Sequence, residues 1–239
     1  MRIDLNCDMG EGMPNDAALM PYISSANIAC GFHAGDEHTM KSTVKLCKDF
    51  GVRIGAHPSF PDRANFGRTM MEMSPEEIYK MVREQIQVLH KHASAQGEKI
   101  HHVKPHGALY NASAKDPAIA KAIAQAVFDE DPNALLLGLS GSYSLAAAEA
   151  MGLKTAHEVF GDRAYQADGS LVPRNQARAC LDQTEEVIHQ VKRMVQKGEV
   201  QALSGEIIPL RIDTICLHGD GPHALAFAQV IRELLDLID

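Results

Sequence analysis

Short apolar runs alternate along this chain with longer stretches of helical period. Apolar residues at Ile78, Met81, Val82, Ile86 and Leu89 keep the i, i+3, i+4 spacing of one helix face. Ser74-Pro75-Glu76-Glu77 gives that helix an N-cap, a proline in the first turn and a capping-box glutamate. Asp116-Pro117 opens a second helix burying Ile119, Ile123 and Val127, and Val187, Ile188, Val191, Met194 and Val195 mark a third. Leu225, Ala228, Ile231, Leu235 and Ile238 give a C-terminal one. Between them lie compact runs at 3–7, 26–30, 52–56, 101–104, 135–139, 154–157 and 214–217. They are too short for helices and mostly end in a Gly- or Pro-containing turn, so they read as strands. Parallel strands need crossovers of this length, and a spacing of roughly 30 residues is one βα unit.

The fold class expected is therefore α/β: a closed or nearly closed (β/α) barrel of seven or eight parallel strands. A doubly wound sheet fits less well, because polar residues follow nearly every strand instead of gathering at one switch point. No linker divides the chain, so residues 1–239 are read as one barrel domain. Two segments interrupt the alternation. Residues 161–178 form a polar loop, a candidate lid, and residues 200–211 centre on a hairpin turn at Leu203-Ser204-Gly205-Glu206.

Composition narrows the function classes. With 239 residues and 45% hydrophobic content, disorder is excluded and the length suits a single α/β barrel. The 23 Lys and Arg against 31 Asp and Glu, net −8, argue against a nucleic-acid partner, which would need clustered cations. The longest apolar run, 134–139, is far short of a membrane span, and the start carries no apolar leader, so no membrane partner is expected. Five widely spaced cysteines (Cys7, Cys30, Cys47, Cys180, Cys216) without a CxxC pair suit a reducing cytoplasm. Cys7, Cys30 and Cys216 read as small buried hydrophobes.

Four of the 12 histidines follow expected strands directly: His33, His57, His106 and His218. In a parallel barrel the C-terminal strand ends open on one face, so these side chains should converge on one mouth. Asp8, Glu11, Asp36, Glu158, Asp162 and Asp220 occupy the same level, although Asp36 and Asp220 also suit helix N-caps. Carboxylates facing histidines in an enclosed mouth are the groups proton transfer uses. Lys104, Arg163, Arg174 and Arg68 supply cations, and Lys104 with Arg163 could hold a small anionic substrate. Asp8, His33 and His57 could ligate a divalent metal, although no HxH or HExxH fixes a local pair. Neither phosphate-binding loop, GxxxxGK[ST] or a strand-linked GxGxxG, occurs in the sequence.

DLNCDMGEG at 4–12, SSANIACGFHAGD at 24–36, IGAHPSFPD at 54–62, HVKPHGALYN at 102–111, EVFGDRAY at 158–165, GSLVPR at 169–174 and DTICLHGD at 213–220 run in order over almost the whole chain. Together they resemble the LamB/YcsF family. The resemblance implies a distorted, glycoside hydrolase/deacetylase-like (β/α) barrel. It also implies the A subunit of an ATP-dependent 5-oxoprolinase, cleaving 5-oxo-L-proline to L-glutamate beside subunits B and C, with ATP consumed. By motif it carries over Asp8, Glu11, His33, His57 and His106 as candidate catalytic residues. Asp36, Lys104, Glu158, Asp162, Arg163, His218 and Asp220 carry over as candidate substrate contacts. Gly161 stands where the family pattern has Ala, and Gly221 with His223 where it has GDTPGA. Two other readings stay open: a stand-alone metal-dependent amide hydrolase or deacetylase, and a non-catalytic subunit that only captures a small carboxylic acid. Self-association of the chain also stays open.

Overall fold

Period-2 alternation in the first strand decides what the barrel encloses. β1 (Asp4–Met9) reads Asp-Leu-Asn-Cys-Asp-Met, so Leu5, Cys7 and Met9 share one face and Asp4, Asn6 and Asp8 the other. The apolar face is fully buried against surrounding elements, and the polar face turns into the barrel. The computed structural model describes residues 3–219, 221 and 223–237. Asp220 and Ile238, both singled out above, lie outside the described residues.

After β1 come α1 (Asp16–Leu19), β2 (Ser25–Ala29), α2 (Glu37–Phe50), β3 (Arg53–His57), α3 (Pro75–Ser94), β4 (Ile100–Val103), α4 (Gly107–Lys115) and α5 (Pro117–Glu130). Then follow β5 (Leu135–Leu139), α6 (Tyr143–Ala150), β6 (Lys154–Phe160), α7 (Thr184–Lys197), β7 (Glu199–Gln201), β8 (Ile207–Pro209), β9 (Thr214–Leu217) and α8 (Ala224–Asp236). The parallel strands close in the order β1-β2-β3-β4-β5-β6-β9, which settles the count at seven. β9 closes the ring by pairing with both β1 and β6. β7 and β8 form the expected antiparallel hairpin outside the barrel. Among the described residues no helix is long and apolar enough to cross a membrane.

The capping box before α3 is present, with Ser74 Oγ accepting from the Glu77 amide and Glu77 reaching back to the Ser74 amide at 2.7 Å. α3 buries Ile78, Val82, Ile86 and Leu89 against the barrel. α2, α4 and α6 go beyond the helices read from periodicity. The buried stripe of α2 is Met40, Thr43, Val44 and Cys47, correctly spaced but interrupted by Thr43, which does not register as hydrophobic. α4 is a second helix in the β4–β5 crossover, ended where Asp116-Pro117 restarts the chain as α5.

The loop expected as a lid is pinned. Arg163 Nε donates to Ala179 O at 3.0 Å and its Nη2 to Val172 O at 2.5 Å, while fully buried Tyr165 accepts at its hydroxyl from the Phe160 amide at 2.8 Å. Gln190, from α7, adds bonds to the carbonyls of Phe160, Gly161 and Arg163.

Inside the barrel, β3 makes room for β4. A methyl group on Gly55 would collide with the His102 ring, which lies across the lumen and hydrogen-bonds Asn27 Oδ1 at 2.8 Å. Gly55→Ala is expected to destabilise the fold by about 1–3 kcal/mol, the cost of overpacking a filled interior. Urea denaturation checks it, and an unchanged midpoint would mean that the ring has room to move.

Candidate active site

The lumen is built around Lys104, the residue after β4, only 2% exposed. Its Nζ donates to Asp8 Oδ1 at 2.9 Å, Asn6 Oδ1 at 3.3 Å and Cys216 Sγ at 3.0 Å, and lies 3.0 Å from Glu158 Oε1. Burial alone would lower its pKa, but Asp8, Cys216 and Glu158 outweigh that and hold it well above the ordinary value. The ammonium form is thereby locked in. Burial likewise works to raise the Asp8 pKa, yet the charges of His57 and Lys104 prevail and Asp8 stays ionised well below the usual carboxylate range.

Amides orient this core. Asn27 Nδ2 donates to Asp8 Oδ1 at 2.8 Å and to Asn6 Oδ1 at 2.7 Å. Asn6 Nδ2 donates in turn to Glu158 Oε1 at 2.9 Å and Thr214 Oγ1 at 2.7 Å, and Thr214 donates to Asp4 Oδ2 at 2.7 Å. Because Asn27 uses its amide nitrogen there, its oxygen is the acceptor for His102, which fixes the His102 proton on Nε2. Glu158 Oε2 and the Tyr110 hydroxyl are buried without a hydrogen-bond partner. Burial, with the Glu158 carboxylate nearby, pushes the Tyr110 phenol well up.

Above the lysine the histidines gather. His57 Nδ1 faces the Lys104 carbonyl at 2.7 Å, and its Nε2 lies 3.4 Å from Asp8 Oδ2 and 2.9 Å from His106 Nδ1. His106 Nε2 faces the Phe66 carbonyl at 2.9 Å. The rings of His33 and His106 stack, centroids 3.9 Å apart and planes within 5°. Glu11 Oε1 lies 3.1 Å from His33 Nε2 and 3.5 Å from His106 Nδ1. Burial, then the charge of His57, depresses the His33 pKa to about 3 and holds His106 well below its ordinary value, so both rings are neutral at pH 7. At the rim, His218 Nδ1 donates to Asp162 Oδ2 at 2.9 Å, and its ring stacks on Phe160 at 5.6 Å.

The model of the LamB/YcsF family matches residues 3–237. A protein of Erwinia tasmaniensis, named as the A subunit of 5-oxoprolinase, is 54% identical over 237 residues, 99% of this chain and 97% of that one. One of the same name from Brevibacillus brevis is 53% identical, covering 98% of this chain and 94% of its own. The chain belongs to the LamB/YcsF family. A lactam utilization protein of Thermus thermophilus is similar throughout, at TM-score 0.92 and 42% identity, covering 100% of this chain and 97% of that one. A putative cellobiose-phosphate cleavage protein of Enterococcus faecalis, at 12% identity and TM-score 0.60, shares the fold over 99% of this chain and 93% of its own.

Within this family barrel, Asp8, Glu11, His33, His57, His106, Lys104 and Glu158 come together, with the Asp162–His218 pair beside them. Three expectations need correction. Asp36 is exposed and caps α2, accepting from the Thr39 amide at 2.8 Å, so its carboxylate is committed to the helix and not to the buried histidine cluster. Arg163 is spent on loop carbonyls, and Lys104 on partners below the mouth, so this pair does not hold a substrate anion. Asp8 does not join His33 and His57 as a metal-ligand set: the convergent group is Glu11, His33, His57 and His106. Arg68 brings a cation near the histidines instead, its guanidinium 4.9 Å above the Phe66 ring, whose edge meets His33 and His106.

Asn6, Asn27, His102, Ser59, Phe66, Tyr110 and Cys216 do not stand out as site residues in the sequence. The strand alternation Asp4-Asn6-Asp8 is the available signal, since a polar period-2 face in an otherwise buried strand must line something polar. Cys216 is buried as expected, but as a Lys104 ligand rather than an inert hydrophobe.

Lys104→Met would leave Asp8 and Glu158 buried without their cation, at an expected cost of about 3–5 kcal/mol in chemical denaturation. Adding Asp8→Asn should recover part of that loss, and a stable single variant would contradict the account. Burial depresses the His102 pKa well below the ordinary value. The unfolded chain therefore binds the extra proton first, and stability falls as pH drops below about 6.5, by up to ~1.4 kcal/mol per pH unit for each such group. His102→Gln, which keeps a donor for Asn27, should show a shallower decline between about pH 6.5 and 5 than the wild type.

Proposed function

We propose that this chain carries out the hydrolytic half of an ATP-dependent cleavage of 5-oxo-L-proline to L-glutamate, as the A subunit beside partner subunits B and C. The observation that carries the reading is Asp8: an ionised carboxylate with Oδ1 held by Lys104 and Asn27 while Oδ2 faces His57 at 3.4 Å under the mouth. The names of the Erwinia and Brevibacillus relatives support 5-oxoproline as substrate, and the Thermus protein's name supports a lactam. That both relatives are named as one subunit of an enzyme supports an assembly of several different chains.

A lactam is a resonance-stabilised amide, and water attacks it slowly unless its oxygen is activated. Phosphoryl transfer from ATP to that oxygen supplies the activation. With no phosphate-binding loop in this sequence, that step falls to the partners. In this mouth Asp8 Oδ2 takes a proton from water as its oxygen bonds to the activated carbon. The C–N bond then breaks, the nitrogen takes a proton, and a γ-glutamyl phosphate results. A second water splits this into glutamate and phosphate, so the balance is ATP, 5-oxoproline and two waters to ADP, phosphate and glutamate. His57, its Nδ1 facing the Lys104 carbonyl, positions Asp8 Oδ2, which passes the proton it took from water to the leaving nitrogen.

Glutamate release from 5-oxoproline and ATP, with this chain alone and with partner fractions added, tests the reading. Activity is expected only in the mixture, and Asp8→Asn should lower kcat by about 10²–10⁴-fold, with the fold checked by thermal unfolding. Full-rate conversion by the chain alone would refute the division of labour, and no product in either case the substrate. A pure binding subunit would keep its activity in the Asp8→Asn mixture.

A further inference from the structure

Proton accounting in the histidine cluster leaves a deficit. A carbonyl oxygen only accepts, so His57 carries a proton on Nδ1, facing the Lys104 carbonyl, and His106 on Nε2, facing the Phe66 carbonyl. In the neutral tautomers these contacts select, each ring would present a lone pair on its other nitrogen, and these two nitrogens, His57 Nε2 and His106 Nδ1, stand 2.9 Å apart. His33 follows the same pattern. Its Nδ1 bonds Ser59 Oγ at 2.8 Å, and the Ser59 hydroxyl donates onward to the Phe60 carbonyl at 3.0 Å. The lone pair of His33 Nε2 is thus aimed at Glu11 Oε1, 3.1 Å away. Two acceptor–acceptor contacts in one buried cluster are repulsive unless positive charge lies between them.

We propose that Glu11, His33, His57 and His106 form a binding site for one divalent transition-metal ion of the zinc type, held by Glu11 Oε1, His33 Nε2, His57 Nε2 and His106 Nδ1. These four residues each offer a ligand atom, all within 4.8 Å of one another. The separations of 2.9, 3.1 and 3.5 Å are close to those of ligands on a common ion, since atoms about 2.0–2.1 Å from a tetrahedral zinc stand roughly 3.3 Å apart. The stacked rings of His33 and His106 turn out of their parallel planes to bring both lone pairs onto the ion. Three imidazoles and one carboxylate are the donor types such an ion takes. Each ring also has its second nitrogen on a carbonyl or a serine that relays to one, the outer-shell arrangement that sets the tautomer in metal sites.

The geometry favours a metal over protons. One shared proton would relieve the His57–His106 contact but not His33 against Glu11, whereas one dication answers both. The neighbouring group of Asp8, Cys216 and His218 is different, because the Lys104 ammonium already sits on Asp8 and Cys216 at 2.9 and 3.0 Å. When bound, the ion supplies a Lewis acid at the base of the mouth. The site stands on the histidine geometry alone and does not depend on the substrate proposed above.

The test is direct binding to the untagged chain, stripped with a chelator and titrated with Zn²⁺, Co²⁺ and Mn²⁺ without substrate. Elemental analysis and calorimetry should find about one ion per chain with a raised Tm, and Co²⁺ should give a visible absorption band. His106→Gln and Glu11→Gln should each weaken binding by at least about tenfold, while His218→Gln leaves it unchanged. Absence of near-stoichiometric binding by the wild-type chain would overturn the proposal, as would loss of binding on His218→Gln but not on His106→Gln. A strongly downfield ring N–H resonance shared by His57 and His106 in the presence of excess ion would assign the cluster to protons.

Discussion

The burial of one ammonium group organises this barrel. Lys104 enters a lumen that already contains two carboxylates, Asp8 and Glu158, and the three charges are tolerable there only together. The ammonium fixes Asp8 Oδ1, leaving Oδ2 as the oxygen turned toward the histidines. It also fixes where the chain goes next. The Lys104 carbonyl sets the tautomer of His57, and two residues later His106 begins α4 with its ring against His57. A substitution at Lys104 therefore reaches the histidine cluster through the backbone as well as through charge.

The barrel reverses the usual arrangement of an apolar lumen filled with branched side chains. In β1, β2, β4 and β9 the residues facing the lumen include Asn6, Asp8, Asn27, His102 and Thr214, all buried, and stability comes mainly from the apolar outer faces under the helices. Such a lumen holds only if nearly every polar group finds a partner. The relay from His102 through Asn27, Asn6 and Thr214 to Asp4 does this with each amide in one orientation. Glu158 Oε2 and the Tyr110 hydroxyl, buried without a hydrogen bond, belong to neighbouring groups beside this relay.

Much of this was legible in the sequence, because backbone periodicity carries it. The seven barrel strands, the capping box of α3, the hairpin and the convergence of His33, His57, His106 and Asp8 all follow from residues near their own strand ends. What was not legible depends on partners distant in the chain. Asp36 and Asp8 are both carboxylates after or within a strand, and only the course of the backbone makes one an exposed cap and the other a buried, ionised partner of Lys104. Arg163 reads as a substrate cation until the loop folds back and Val172 and Ala179 take its donors. Cys216 reads as a hydrophobe until Lys104, 112 residues away, reaches its sulfur. Glu11 in place of Asp8 among the histidines has the same origin, since Asp8 is already held by Lys104 and Asn27.

The distribution of charge bears on the chemistry that the mouth could support. Lactam hydrolysis builds negative charge on the carbonyl oxygen, and a site accelerates it by having positive charge or oriented donors where that oxygen sits. The Lys104 ammonium is fully engaged below the mouth, and the stacked rings of His33 and His106 are neutral. Apart from the Arg68 guanidinium over Phe66, an unactivated amide would thus meet a surface richer in lone pairs than in donors. Two remedies fit that shortage: a carbonyl oxygen that arrives already phosphorylated, and a cation seated among the histidines. The first removes the need for a strong electrophilic catalyst and leaves Asp8 only a water to deprotonate. The second would supply the missing positive charge from the protein side, and the same lone-pair surplus motivates both.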